Sequence, residues 1–302
     1  MTPLSCILLK LKTSADFMKV QDTGHDSPCS SLENEMPLPR LVFWYADAGS
    51  FTFEEAARRI PTGNVREEIK YLRSRGWIDN PRRELYVVNA KKTGKTADPY
   101  VLASKIASDA VLSYHTALEL HGVAHTAMFN TLYASTSHRA NPMKYAGKTF
   151  RPVITPSRLL DPSLIARAKR AGETIRYSGR ELALVQCVDR LQFAGGLDEV
   201  LQSVEGFRRI DWKKIAWLVG ASTADDIPRD AETKIGLLRK TGFVVERHAE
   251  KWGIPTDFVE FLARKVGRGV TYFGTTPKRG GKWIPRWRVI VPPDVAEGDS
   301  HG

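Results

Sequence analysis

The stretch "TGNVREEIKYLRSRGW", from Thr62 to Trp77, decides how the amino-terminal part of this sequence folds. Asn64 is a favoured helix N-cap, and Glu67, three residues later, can return the hydrogen bond. At about 100° per residue, the apolar side chains of Val65, Ile69 and Leu72 fall on one side of the resulting helix. We therefore predict a helix that buries one side and exposes the other.

The charged residues of this helix are sorted by side. Arg66, Lys70 and Arg73 gather on one flank of the apolar stripe, whereas Glu68 lies on the opposite flank beside Arg75. A helix of this kind is most often an ordinary solvated surface helix. The neighbouring segments must therefore indicate whether its basic flank binds anything.

The preceding segments predict two more helices. "LPRLVFWYADAG" favours a short apolar helix, and "FTFEEAARRIP" a second one that ends at Pro61. Thr52 and Glu55 form a capping box at the start of this second helix. Only "PTG" separates it from the opening stretch, and so short a turn is typical of a helix-turn-helix.

The segment after the opening stretch, "WIDNPRRELYVV", predicts two strands joined by a turn at Asn80 and Pro81, with Arg82 and Arg83 at the tip. Three helices followed by a basic-tipped hairpin are typical of a winged helix-turn-helix. In that module the third helix enters the DNA major groove and the hairpin contacts the backbone. A winged helix that binds protein instead remains an alternative.

Charge and composition agree with a polyanionic partner. The 302 residues include 45 Lys and Arg against 34 Asp and Glu, and residues 37–95 hold twelve basic and seven acidic side chains. The three cysteines are odd in number and far apart, which is typical of reduced thiols. No apolar run of about 18 residues occurs, and the first residues make a poor signal peptide. We therefore expect a cytoplasmic protein.

The domain organisation follows from these patterns. We predict an α+β protein with a disordered tail at 1–35, a winged helix-turn-helix at 36–90 and a polar linker at 91–99. A larger mixed α+β domain follows at 100–293, with a second tail at 294–302. Translation starting at Met36 instead of Met1 is left open.

The larger domain has its own recognisable segments. One helix is expected from about Tyr100 and another capped at Ser113. "TLYAST" and "RPVITP" predict strands, and "GRELALVQCVDRLQFAGGLDEVLQSV" predicts two helices separated by a Gly195-Gly196 break. Further helices follow, and the chain closes on the strand-like segments "VTYFGTT" and "RWRVIVPP".

Four of these motifs, in this order behind a winged helix, resemble the AbiEi-type antitoxins. They are "LSYHTALELHG" (112–122), "RELALVQCVDRLQFAGGLDEV", "KTGFVVER" and "RWRVIVPP", and the likeness spans roughly residues 38–293. AbiEi-type antitoxins are transcriptional repressors of type IV, abortive-infection toxin–antitoxin systems. The chain departs from many relatives at Gln186, where they carry an acid, and its own acid, Asp189, follows Cys187 by two residues.

The resemblance implies a function in two parts. The amino-terminal domain would bind inverted repeats in the promoter of its own operon and repress it. The carboxy-terminal, AbiEi-like antitoxin domain would oppose a cognate nucleotidyltransferase-like toxin without needing a stable complex with it.

The predicted DNA-binding residues lie in the winged helix. Asn64, Arg66, Lys70 and Arg73 would read bases, whereas Thr62, Arg82 and Arg83 would contact phosphates. A second basic surface is expected near the end of the chain, where eight basic residues occur without an acid and alternate with Tyr272, Phe273, Trp283 and Trp287. Its members are Arg264, Lys265, Arg268, Lys278, Arg279, Lys282, Arg286 and Arg288. Nucleic acid, an acidic protein and a solvated sheet face remain alternatives there.

Catalytic chemistry finds little support in the sequence. His115, His121 and His125, with Glu119 nearby, lack a recognisable metal-ligand spacing, so we predict packing roles and no metal. Asp230 and Glu232 resemble part of a nuclease site but open a helix. No phosphate-binding loop or nucleophile–base set occurs. We predict no enzyme and no cofactor, with a nucleic-acid-processing enzyme using these acids or histidines as the alternative.

Overall fold

A computed structural model describes residues 38–61, 63–127, 130–221 and 235–297 of the chain. The described residues belong to one compact unit. Its fold is mixed α+β, in agreement with the sequence-based prediction. The predicted tail at 1–35, Met36 and Thr62 lie outside the described residues.

The amino-terminal part forms three helices and a three-stranded antiparallel sheet. The strand order is β1-β3-β2, and β1 was not predicted from the sequence. In chain order the elements are α1 (Arg40–Trp44), β1 (Ser50–Thr52), α2 (Phe53–Arg59), α3 (Val65–Ser74), β2 (Ile78–Arg82) and β3 (Leu85–Val88).

The helix starts of α2 and α3 confirm most of the capping predictions. Thr52 and Glu55 form a complete capping box at α2. The Asn64 side chain accepts a hydrogen bond from the backbone NH of Glu67 at 3.3 Å, which satisfies a group that the first turn leaves unpaired. The predicted return bond from Glu67 does not form. Val65, Ile69 and Leu72 are buried as predicted.

The hairpin turn lies three residues later than the sequence predicted. Asn80 and Pro81 belong to β2, and the turn is made by Arg83 and Glu84, between the paired residues Arg82 and Leu85. The Asn80 amide donates to the carbonyls of Arg82 and Leu85, which holds the strand end against its partner. Because Pro81 has no NH to donate, the strand pairing is irregular there.

The segment predicted as a linker contains a short helix, α4 (Ala90–Thr93), which ends on a left-handed Gly94. The residues beyond it contact the amino-terminal part, where Lys95 pairs with Asp47 at 2.6 Å. Gly49 lies so close to Ala97 that an added Cβ would stand 2.2 Å from the Ala97 Cα. This part of the chain is therefore packed against its neighbours.

A buried lysine joins this region to the rest of the protein. The Lys105 side chain is 7% exposed. Its ammonium donates to the Ser50 carbonyl and to the Glu55 carboxylate, both at 2.9 Å, and lies 3.6 Å from Glu173. Glu55 is also the capping residue of α2, so one carboxylate serves both the helix start and this buried ion pair.

A six-stranded mixed sheet forms the middle of the protein, in the order β6-β7-β5-β4-β9-β8. The two strands predicted here, β5 and β7, are confirmed and pair in parallel. The strands are β4 (Val111–Leu112), β5 (Thr131–Thr136), β6 (Met143–Tyr145), β7 (Lys148–Ile154), β8 (Ile165–Arg170) and β9 (Glu173–Ser178).

Two helices pack near this sheet, α5 (Pro99–Ser104) and α6 (His115–Leu120). The predicted cap of α6 at Ser113 is wrong. Its N-cap position is Tyr114, which has a positive φ of 55° and makes no side-chain capping bond. The unusual backbone at Tyr114 turns the chain from β4 into α6 and moves the helix start one residue later.

The carboxy-terminal part is mainly helical and closes on a small sheet, ordered β10-β12-β11. The predicted helix–break–helix around Gly195 and Gly196 is confirmed by α7 and α8. Residues 294–297, predicted as the beginning of a tail, belong to the last helix, which starts at Pro293. The elements are α7 (Arg180–Asp189), α8 (Leu197–Val204), α9 (Trp212–Leu218), α10 (Ile235–Trp252), α11 (Thr256–Arg264), β10 (Thr271–Tyr272), β11 (Lys282–Ile284), β12 (Val289–Val291) and α12 (Pro293–Glu297).

Buried apolar side chains form three clusters. One lies among α1–α3 and the first sheet, a second packs between α5 and the six-stranded sheet, and the largest surrounds α7 and α10. Within the described ranges, no helix is long and apolar enough to cross a membrane.

Gly242, inside α10, gives a test of this packing. An added Cβ would lie 2.0 Å from a ring carbon of the buried Trp287. Gly242→Ala should therefore lower the free energy of unfolding by about 1–3 kcal/mol, although alanine normally stabilises a helix interior more than glycine does. Gly236→Ala in the same helix is the matched control, because its nearest neighbour is 3.4 Å away. Denaturant unfolding checks both variants, and a Gly242→Ala protein as stable as the wild type would contradict the packing.

Candidate nucleic-acid interface

The predicted basic flank of α3 is exposed. Arg66, Lys70 and Arg73 all lie at the surface, and the Lys70 side chain is 78% exposed. The opposite side of the helix packs Leu72 into the core. An exposed basic flank backed by a buried apolar side holds its charges at fixed positions relative to the rest of the molecule.

The two glutamates of α3 differ in their effect on this flank. Glu68, on the far side, is paired with Arg40 of α1 at 3.3 Å. Glu67 lies 3.9 Å from Lys70, and both side chains are largely exposed, so this pair is weak in water. Arg40 was not singled out in the sequence because it lies 28 residues from its partner.

The basic flank of α3 faces the hairpin. Lys70 and Arg73 line a surface depression together with Asp79 and Asn80 of β2. Arg66 lies on the side toward α2, where its guanidinium stands 5.0 Å from the centre of the Phe53 ring. The helix flank and the hairpin therefore border one continuous surface.

The two hairpin arginines are not equivalent. The Arg83 side chain, in the turn, is 91% exposed, with Glu84 3.7 Å away. Arg82 is partly buried and donates to the backbone carbonyl of Asn141 at 3.4 Å. Arg83 is thus free to reach a ligand, whereas Arg82 also braces the hairpin.

A second contact braces the hairpin near β6. The Tyr145 hydroxyl donates to the Asp79 carboxylate at 2.8 Å. Burial, followed by this carboxylate, raises the pKa of Tyr145 to about 12, so the hydroxyl keeps its proton at neutral pH. The Asp79 carboxylate, which lies away from the hairpin tip, is therefore hydrogen-bonded to a tyrosine.

Asn64 and Tyr71 complete the description of α3. The Asn64 side-chain oxygen is used in capping, which leaves its amide group for an external acceptor. Tyr71 is 54% exposed, and Arg75 lies over its ring at 5.7 Å. Tyr71 is not among the predicted site residues, although its helical position, far from the apolar stripe, indicates an exposed ring.

The eight residues of the second basic surface fall into two groups. Arg286 is paired with Glu246 at 2.8 Å and Glu260 at 2.7 Å, and Arg288 donates to the Gly269 carbonyl. The other six members lie exposed. They are Arg264, Lys265, Arg268, Lys278, Arg279 and Lys282.

The four aromatic residues of this region also separate into two kinds. Phe273 and Trp287 are fully buried core residues. Tyr272 and Trp283 are about 40% exposed, and both pair in register with Ile290 across the small sheet. The sequence pattern therefore mixes a core row with an exposed row, which periodicity over such short strands does not separate.

The side chains of His115 and His121 contact protein groups. His115 is buried, with its Nε2 3.1 Å from the Glu199 carboxylate and its Nδ1 3.6 Å from Glu119. The His121 ring contacts the Ser178 carbonyl at 2.9 Å, and burial lowers its pKa. Among the residues that the structure describes, no group of His, Cys, Asp and Glu side chains could hold a metal ion. Asp230 and Glu232 lie outside the described residues.

Glu199 is the centre of the buried cluster around His115. One carboxylate oxygen is 3.0 Å from the Thr126 NH, 3.0 Å from the Ser203 hydroxyl and 3.1 Å from His115 Nε2. Burial opposes ionisation, but these hydrogen bonds outweigh it and hold the pKa of Glu199 below its ordinary value. Glu199 thereby joins α8 to α6 and to the chain that follows α6.

Comparison with known proteins identifies the fold but no family. No model of a known protein family matches the sequence, and no curated protein sequence matches it. The structure is similar to the crystal structure of the RV2827C protein from Mycobacterium tuberculosis, with a TM-score of 0.56 and 16% sequence identity. The match covers 83% of this chain and 90% of that protein. At 16% sequence identity, this similarity shows that the two chains share a fold and nothing more.

Replacing Glu199 should change how stability depends on pH. A folded-state pKa below the unfolded value of about 4.3 gives stability that is present above this pH and is lost as the pH falls. Glu199→Gln should therefore lower the free energy of unfolding at pH 7 by about 1–2 kcal/mol, and its difference from the wild type should shrink below about pH 4. Denaturant titrations at several pH values measure this difference. Glu205→Gln, at an exposed position after α8, is the control, and equal effects of the two changes would contradict the role of Glu199.

Proposed function

We propose that this protein is a DNA-binding transcriptional repressor whose amino-terminal part is a winged helix-turn-helix. The observation that carries the proposal is that Lys70 and Arg73 of α3 share a surface depression with β2 of a hairpin whose turn exposes Arg83, while Glu68 is paired with Arg40. The order of elements, helix, strand, two helices and a hairpin, supports the winged-helix interpretation.

The dimensions of α3 are suitable for DNA. A helix with its side chains is about 10–12 Å across, which fits the major-groove width of about 12 Å, and the ten residues of α3 extend about 15 Å. Lys70 and Arg73 would donate to base edges beside the hairpin and Arg66 on the side toward α2, together with the amide group of Asn64. Such contacts carry sequence information, which phosphate contacts do not.

The hairpin would contact the sugar–phosphate backbone beside the groove. Arg83 is the principal residue for this role because it is almost fully exposed. Arg82 and Thr62 would contribute further phosphate contacts. The bracing of the hairpin against Tyr145 and Asn141 favours binding as a rigid body, without a conformational search by the wing.

We further propose that the protein is an antitoxin of a type IV, abortive-infection system. The resemblance of its motifs to the AbiEi-type antitoxins supports this role. In this proposal it is a cytoplasmic protein without enzymatic activity that binds inverted repeats in its own promoter. It would oppose a nucleotidyltransferase-like toxin without forming a stable complex with it.

Gel-shift titrations on the promoter of its own operon test the DNA-binding role. Arg83→Ala should weaken binding to promoter and unrelated DNA alike and reduce the slope of log affinity against log salt by about 0.9. Arg66→Ala should cost about 1–3 kcal/mol on the promoter and less on unrelated DNA, because a base contact adds specificity.

Arg167→Ala is the matched control, since Arg167 is an exposed arginine on β8, in the other sheet. It should bind DNA like the wild type. Absence of DNA binding at low salt by the wild-type protein would refute the proposal and favour a protein-binding winged helix.

Co-expression separates the antitoxin role from DNA binding. If the neighbouring gene encodes a nucleotidyltransferase-like toxin, this protein should restore growth when the toxin is induced. The Arg66→Ala, Lys70→Ala, Arg73→Ala triple variant should restore growth equally when expressed from an unrelated promoter. Failure of the wild-type protein to restore growth would refute the antitoxin role and leave the DNA-binding role standing.

A further inference from the structure

We propose that the cavity between α7, α10 and the chain after β7 binds a small organic phosphate of mononucleotide size. Its volume is about 490 Å³, within the range of about 300–1,000 Å³ common for small-molecule sites. This cavity lies in the carboxy-terminal part of the protein and shares no residue with the DNA-binding surface. The proposal goes beyond the repressor function and does not depend on it.

The body of the cavity is apolar. Leu182 and Val185 of α7, Leu237 of α10 and Leu159 after β7 line it, and Tyr114 adds the edge of a buried ring. The rings of Tyr133 and Phe193 hold Tyr114, with centroids 6.2 and 5.2 Å from its own. Walls of this kind favour a planar or apolar group such as a base, and argue against inorganic phosphate as the whole ligand.

The charges at the cavity are mainly positive. Among the residues that the structure describes, Arg190 and Lys240 line it together with Arg158, and Asp189 is the acidic side chain beside them. Asp189 lies 3.7 Å from Arg190, and both side chains are more than 40% exposed, so their attraction is screened by water. Within the described lining, Lys240 and Arg190 together outweigh Asp189, and this positive excess favours an anionic ligand such as a phosphate monoester.

Lys240 is partly buried at the cavity wall. Its ammonium lies 5.8 Å from the centre of the buried Phe273 ring. Burial lowers the pKa of Lys240, and the Asp189 carboxylate acts weakly in the other direction. A partly desolvated ammonium gains more from an anionic ligand than an exposed one does, because the surrounding dielectric is lower.

Two uncharged hydroxyl groups lie near these charged side chains. The hydroxyls of Tyr114 and Thr155 interact at the cavity wall, and burial raises the pKa of Tyr114 to about 12. Tyr114 therefore keeps its proton at neutral pH and can donate to a phosphate or sugar oxygen. The positive φ of Tyr114 is a costly backbone conformation for a non-glycine residue, and such conformations concentrate at functional sites.

Isothermal titration calorimetry of the full chain with AMP, GMP, CMP and UMP tests the proposal. We expect at least one of them to bind at one site per chain with a Kd below about 1 mM, and the matching nucleoside and inorganic phosphate each to bind at least about tenfold more weakly. No heat of binding with any of the four at about 10 mM would overturn the proposal.

Variants locate the site. Lys240→Met keeps the side-chain length over Phe273, and Arg190→Gln keeps a polar chain. Each should reduce nucleotide affinity at least about tenfold while leaving DNA binding unchanged. Lys213→Met, on the exposed side of α9, is the control and should bind like the wild type. Wild-type affinity in both cavity variants would overturn the proposal.

A measurement on the unmodified protein covers the case in which a variant does not fold. Acetylation by an amine-reactive ester, followed by mass spectrometry, reports how accessible each lysine is. The bound nucleotide should slow acetylation of Lys240 and leave Lys213 unchanged. Equal rates at Lys240 with and without a bound nucleotide would refute the site.

Discussion

The buried ammonium of Lys105 is the interaction on which the arrangement of this protein depends. It binds the backbone of β1, the carboxylate that caps α2 and a glutamate of β9 at once. Removing one partner of a buried ion pair costs roughly 3–5 kcal/mol, because the other charge is left unpaired. Lys105 therefore helps to fix the amino-terminal helices to the larger sheet, together with Leu85 and Val87 of β3, which pack in the apolar cluster of α5 and that sheet.

The hairpin is held in a related way. Tyr145 and the Asn141 carbonyl contact it from the side of the large sheet, whereas Arg83 at its tip is left exposed. These contacts fix the hairpin on the side that faces the large sheet and leave its tip exposed near α3. In the account proposed here, the larger domain thus contributes to DNA binding by positioning, while its own cavity lies elsewhere.

Local features of this fold could be predicted from sequence, and contacts between distant residues could not. The caps at Thr52 and Asn64 depend on partners three residues away, and the apolar stripe of α3 on a fixed helical period. The hairpin turn was predicted too early because the Asn80 side chain bonds across the strand end instead of making the turn. Lys105 and its partner Glu173 are 68 residues apart, and no local pattern indicates that they meet.

Site-specific photo-crosslinking tests the central claim, that α3 is the DNA-binding element, most directly. A photoreactive phenylalanine analogue would replace Ser74, exposed on α3 in the depression lined by Lys70 and Arg73, or Tyr272, 39% exposed on the second basic surface. Promoter DNA should crosslink to the probe at position 74 and not to the probe at position 272. Crosslinking at position 272 alone would contradict the account and move the nucleic-acid interface to the carboxy-terminal basic surface.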